Sequence, residues 1–185
     1  INVRYQLVNY ATLQVDLRDQ LRDEKYDVFL IGDVDVAGLS TRTWREIAAT
    51  VDGGAGLAML GGFHSFGPGG FRGSPLADVL PIAIRRLERQ PFDEPIRQDV
   101  HVPGPIQMLP VVQPDGQVHP IMRIDDGVDQ RAAWEELPAL DGANRFDRIN
   151  VKPGVAQVVA EAKNPELSPL LVLGLWGAGR TAALA

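Results

Sequence analysis

The 185-residue chain has no cysteine. That excludes disulfides, thiolate metal sites and a cysteine nucleophile from the sequence. No apolar run approaches the roughly 20 residues of a membrane-spanning helix, and the start carries no signal-peptide pattern, so no direct membrane insertion is expected. Positive charge is in deficit, with 18 Lys and Arg against 24 Asp and Glu and a net charge of -6. This argues against nonspecific binding to nucleic acid or anionic lipid as a main role. The one basic cluster, Arg85-Arg86-Leu87-Glu88-Arg89, is short, interrupted by an acid, and reads as a solvated helix end or loop. Trp44, Trp134 and Trp176 have no interleaved basic residues and so make no single-strand stacking platform. Repeats, low-complexity tracts and an interdomain linker are missing as well.

What is present suffices for one domain spanning residues 1–185, since 45% of the residues are hydrophobic. The chain begins at Ile1 and ends within a strand pattern at Thr181 to Ala185, so it is expected to be a piece excised from a longer protein. Ile1 to Val8 alternates like a half-covered edge strand. A short helix is expected from an Asp16 cap through Lys25, with Leu17 and Leu21 on one face. Tyr26 to Ile31 reads as a central parallel strand, apolar on both faces. Ser40 caps a helix carrying Trp44, Ile47, Ala48 and Val51 at core spacing, and Gly53-Gly54 ends it. Gly56 to Leu60 is the next strand, parallel to Tyr26–Ile31 and beside it, because a right-handed crossover most often joins neighbours. Ser74-Pro75 should start a short helix closed by Pro81. Pro91 to Gln117 reads as an irregular excursion over the sheet, and Gln130 to Glu136 as a short helix. Ala156 to Ala162, Leu170 to Leu175 and Arg180 onward read as antiparallel strands.

The chain is organised around GLAMLGGFHSFGPGGFRG, residues 56–73, an apolar strand that stops abruptly in a glycine-rich loop. In a parallel α/β sheet, ligands gather beyond the carboxyl ends of the strands, so this stop marks the expected functional edge. Its turn has the position, but not the full pattern, of a nucleophile elbow, with His64 at the raised place and Ser65 beside it. Candidate ligand-binding residues are Gly62, His64, Ser65, Gly67, Gly69, Gly70 and Arg72. The glycine amides and the Arg72 fork suit an anion, although Pro68 removes a donor and no Walker ending follows. Asp33-Val34-Asp35 invites a magnesium-dependent phosphoryl-transfer reading, which the rest of the sequence does not support: Ala37 and the order of Lys152 after Asp125-Asp126 both depart from it. Asp125, Asp126 and Asp129 lack calcium-loop spacing and read as a solvated turn. No cofactor and no metal are expected.

Tyr26 to Asp33, the block Gly56 to Pro81, His119-Pro120-Ile121, Trp134 with Leu137 to Leu140, Lys152-Pro153-Gly154 and Gly177 to Arg180 together resemble the class I glutamine amidotransferase-like domain. More narrowly, they resemble the branch found in large bacterial membrane-anchored proteins. The resemblance implies a flavodoxin-like three-layer α/β/α sandwich, with a mostly parallel sheet and antiparallel C-terminal strands. It also implies a Cys-His-Glu triad whose cysteine belongs where His64 stands. With no thiol and no His-x-Glu pair, the amidotransferase reaction is expected to be lost. The resulting expectation is a non-catalytic binding or interaction module of a larger envelope-associated protein, its partner another domain of that chain or a separate protein. The alternative is a hydrolase using His64 with Asp33 or Asp35, metal-assisted or not.

Overall fold

A computed structural model of the chain describes residues 17–23, 25–86 and 88–185. The expected strand at Ile1 to Val8 and the Asp16 cap lie outside the described residues. In chain order the elements are α1 (Arg18–Asp23), β1 (Val28–Gly32), α2 (Thr41–Asp52), β2 (Gly56–Leu60), α3 (Pro75–Val79), β3 (His101–Ile106), β4 (Met108–Pro110), α4 (Gln130–Glu135), β5 (Leu140–Asn144), β6 (Ala156–Ala162), β7 (Pro169–Trp176) and β8 (Gly179–Leu184). Short 3-10 turns occupy Val36–Gly38, Pro120–Met122 and Arg148–Asn150.

The main sheet runs β1-β2-β8-β7-β6-β4, and β3 pairs with β5 in a separate antiparallel ribbon. β1, β2 and β8 are mutually parallel, while β7, β6 and β4 attach by antiparallel pairing. Four of the six strands therefore point the same way. The expected parallel adjacency of the Tyr26 and Gly56 strands holds, with Phe29 opposite Leu57 and Ile31 opposite Met59. The C-terminal strands are antiparallel as the sequence implies, and the β7–β8 hairpin turns through Gly177-Ala178, with Gly177 at φ 55.

Local chemistry sets the helices. The Ser40 hydroxyl accepts the Thr43 amide hydrogen and caps α2, which buries Thr43, Trp44, Ile47 and Val51. That face covers Ile31, Leu57, Met59 and Ala183 of the sheet, and Trp44 meets Phe71 edge-on at 5.3 Å between centroids. Burying Trp44, Ile47 and Val51 contributes on the order of 2 kcal/mol each. α3 starts at Pro75 as expected, but the Ser74 side chain makes no capping bond. Lys152 instead closes the other end of α3 by donating to the Ala77 and Asp78 carbonyls.

Three sequence expectations stand differently among the described residues. Where a central strand apolar on both faces was expected, β1 stands at the sheet's edge among the described residues, with Val28 57% and Leu30 72% exposed. The stretch Pro91 to Gln117 is more regular than its prolines suggest, since it contributes β3 to the ribbon and β4 to the main sheet. The third concerns the layers. On the face opposite α2, a cluster of Val118, Met122, Val159 and Ala160 with Trp134 covers the β4-β6-β7 end of the sheet. No described helix covers Val28, Leu30, Ala58 and Leu60 at the β1-β2 end, so the described residues form a mixed α/β fold without a full second helical layer.

Candidate functional site

The parallel strands end at one edge, and glycines let the chain turn tightly there. After β2, Gly61 passes so close to Ala185 at the end of β8 that a Cβ on it would lie 2.4 Å from the Ala185 carbonyl carbon. A Cβ on Gly62 would fall 2.4 Å from the Asp33 carboxyl carbon. The close approach of the Ala185 backbone to Gly61 and of the Asp33 side chain to Gly62 explains these two glycines.

The raised turn is built from its own side chains. Asp33, in the left-handed region at φ 45, accepts the His64 amide hydrogen on Oδ1 at 2.6 Å. The Ser65 hydroxyl donates to the Leu60 carbonyl at 2.7 Å and is fully buried. The His64 imidazole stacks on Phe92 with ring centroids 3.9 Å apart, and its Nδ1 lies 4.0 Å from Asp33 Oδ1. Its Nε2 is buried without a hydrogen-bond partner. Downstream, Gly69 N–H donates to the Ser65 carbonyl, Gly70 N–H to Gly67 and Phe71 N–H to Phe66, while Gly69 and Pro68 carbonyls receive Val36 and Gln90 amides. Of the four candidate glycine amides, those of Gly69 and Gly70 thus donate within the loop, and that of Gly62 donates to Asn144 Oδ1. Arg72 is exposed.

Asp35 lies apart from His64's contacts. Its Oδ1 caps the Val36–Gly38 turn through the Ala37 amide and accepts Arg89 Nη2 at 2.7 Å. The side chain is fully buried, and Oδ2 has no partner. Asp33 and His64 are brought together; Asp35 and Arg72 are bound elsewhere or face solvent. Asp129 caps α4, and Asp125 accepts the Asp126 amide. Among the described residues no group of three or more His, Asp or Glu could hold a metal ion.

Beside this turn, between the sheet edge and the β3–β5 ribbon, opens a cavity of about 490 Å³. Gly61, Gly62, Phe63, His101, Asn144 and Ala185 line it together with Ile96 and Gln98. Of the residues singled out from the sequence, only Gly62 is in its wall. Asn144 fastens the ribbon to the sheet: its Oδ1 accepts the Gly62 amide hydrogen at 2.9 Å and its Nδ2 donates to the Gly62 carbonyl at 3.0 Å. Because an amide N–H can only donate, Oδ1 must face Gly62 N, which fixes the Asn144 orientation. Nδ2 then also faces His101 Nδ1 at 3.4 Å, directly across the ladder. That nitrogen must accept, so the neutral imidazole carries its hydrogen on Nε2. Burial first, and the field of His64 next, push the His101 imidazole below its ordinary range. Sequence reading missed His101 and Asn144. The available signal was compositional, because asparagine and aspartate are depleted in strands unless they serve a side-chain role, and Asp141-Gly142-Ala143-Asn144 is a strand.

No helix among the described residues is long and apolar enough to cross a membrane. No family model matches the chain, and no curated protein matches it. Solved structures do. One, a cytoplasmic protein from Salmonella typhimurium LT2, is 25% identical with a TM-score of 0.62, over 86% of this chain and 60% of that one. Another, a cytoplasmic protein from Salmonella typhimurium, is 25% identical with a TM-score of 0.61, over 94% of this chain and 64% of that one. The chain spans somewhat under two thirds of the length of these two proteins, whose fold it is similar to.

Proposed function

We propose that this chain is a binding module of glutamine amidotransferase-like descent, without amidotransferase chemistry, whose ligand site is the cavity between the strand ends and the β3–β5 ribbon. The observation that carries the reading is the contrast at the sheet edge. The elbow's Ser65 hydroxyl and the Asp33 carboxylate are tied into the turn's own backbone, while the neighbouring 490 Å³ space is walled by apolar groups and a few fixed polar ones. Such a composition suits small-molecule recognition. No thiol exists to form a thioester, and the Ser65 hydroxyl gives its hydrogen to the Leu60 carbonyl and not to a base.

The 4.0 Å approach of Asp33 to His64 is what favours the hydrolase alternative. Against it stand the burial of His64 Nε2 beside Phe92, which keeps that nitrogen from a substrate, and the engagement of Asp35 with Arg89. The resemblance would put the module in an envelope-anchored chain and give it a partner domain there or a separate protein partner, with no nucleic acid. The two structural neighbours are cytoplasmic proteins. Ammonia release from glutamine tests the chemistry: the purified protein is expected to match a heat-killed control. Release above that control that disappears in His64→Ala would overturn the non-catalytic reading.

A further inference from the structure

The groups that a guest can reach in the cavity's wall narrow its ligand. Asn144 commits its amide to Gly62 and faces His101, and His101 Nε2 is buried, so neither offers a guest a free polar atom. The exposed polar side chains in the wall are Gln98 and Asp141, set among apolar groups that include Ile96, Pro103 and the half-exposed ring of Phe63. The Asp141 carboxylate makes no hydrogen bond or ion pair among the described residues. No Lys or Arg is among the described residues lining the space, and Arg97, between Ile96 and Gln98, is held on Asp99 by bonds of 3.1 and 2.6 Å. Burial and the field of His64 push the His101 imidazole down, and the carboxylates of Asp33 and Asp99 act against them, so negative potential reaches this wall. An aromatic ring and an unpaired carboxylate both attract positive charge, while the apolar groups suit a hydrocarbon body. An anion would be repelled, and an uncharged guest would leave the carboxylate without a counter-charge.

We propose that the cavity takes a small organic cation, a protonated amine on an apolar body, with the body against Phe63 and Ile96 and the ammonium on the Asp141 side. This rests on the cavity being the binding site. Because Asp141 is exposed, the ammonium keeps part of its hydration there, which avoids the penalty of burying a charge.

Benzylamine, benzyl alcohol and benzoate share one ring and differ in charge. Each is titrated into the protein near neutral pH, where benzylamine is protonated, while the amide signals of Gly61, Gly62 and Ala143 are followed by NMR. Benzylamine is expected to shift these signals and to bind about fivefold more tightly than benzyl alcohol at low salt, the gain of one exposed charge pair and an aromatic contact. Benzoate is expected to bind more weakly than either. Raising the ionic strength should narrow the preference for benzylamine. Asp141→Asn should bring benzylamine down to the level of benzyl alcohol. Asp115→Asn, which removes the same charge from an exposed turn outside the cavity wall, should keep most of the preference. Equal binding of benzylamine and benzyl alcohol to the unaltered protein, or tightest binding by benzoate, overturns the proposed ligand class while leaving the cavity a binding site. So does a preference that survives intact in Asp141→Asn, or one that falls equally in Asp115→Asn. If none of the three shifts those amides, the binding-site reading fails and the ligand class with it.

Discussion

Asn144 is only 4% exposed, yet it makes both of its amide bonds to Gly62 and faces His101, so one side chain joins the ribbon to the sheet edge. Asn144→Ala should cost about 2 kcal/mol in denaturant unfolding, because a buried amide and carbonyl lose their partners together. A loss under about 0.5 kcal/mol would show that water replaces the side chain without penalty. Ser65→Ala, which removes a single bond to Leu60, should cost about 1 kcal/mol and leave any ligand affinity unchanged. His101 gives a pH signature. Its folded pKa lies below its unfolded value, so the unfolded state binds more protons, and stability is present above about pH 6.5 and falls as pH drops from there toward the folded value. Thermal midpoints should decline on acidification through that window, and His101→Gln should flatten the decline. An unchanged slope in His101→Gln would contradict a buried neutral imidazole.

At the scale of elements, the sequence was most legible where one period had no competitor. Ser40 with Trp44, Ile47 and Val51 defines α2, and the β7–β8 hairpin is written in Gly177 and the alternation around it. It was least legible where composition and position disagree. Val28 to Ile31 is apolar throughout, which matches a strand covered on both faces, yet β1 has a described neighbour on one side only, and Leu30 faces outward. β4 is three residues long and ends in Pro110, so no local pattern reveals that it closes the far side of the sheet. These readings separate two substitutions on neighbouring strands. Leu57→Ala, which opens a hole under α2, should cost about 3 kcal/mol. Leu30→Ser should change stability by less than about 0.5 kcal/mol, as at an exposed site. A loss above about 1.5 kcal/mol at Leu30 would show that this face is covered in the folded protein.

For the whole molecule, the sheet edge beside which the cavity opens was legible, but the residues lining that cavity were not. The glycine-rich stop after Leu60 marks the carboxyl edge of the parallel strands, because that edge follows from local strand and turn signals. His101 and Asn144 reach that edge from β3 and β5, roughly forty and eighty residues further along, through ribbon pairing that no short pattern encodes. His64 and Ser65 look chemical in sequence because they sit on a tight turn. In the fold, Ser65 serves the turn itself and the His64 ring lies against Phe92. The account therefore places binding in the cavity and structure in the elbow. Thermal midpoint shifts across a panel of small molecules, run in parallel on the unaltered protein, Gln98→Trp at the cavity wall and His64→Asn at the elbow, test this directly. Compounds that raise the midpoint of the unaltered protein should raise that of His64→Asn equally and leave Gln98→Trp unmoved; shifts that survive in Gln98→Trp and vanish in His64→Asn would contradict it.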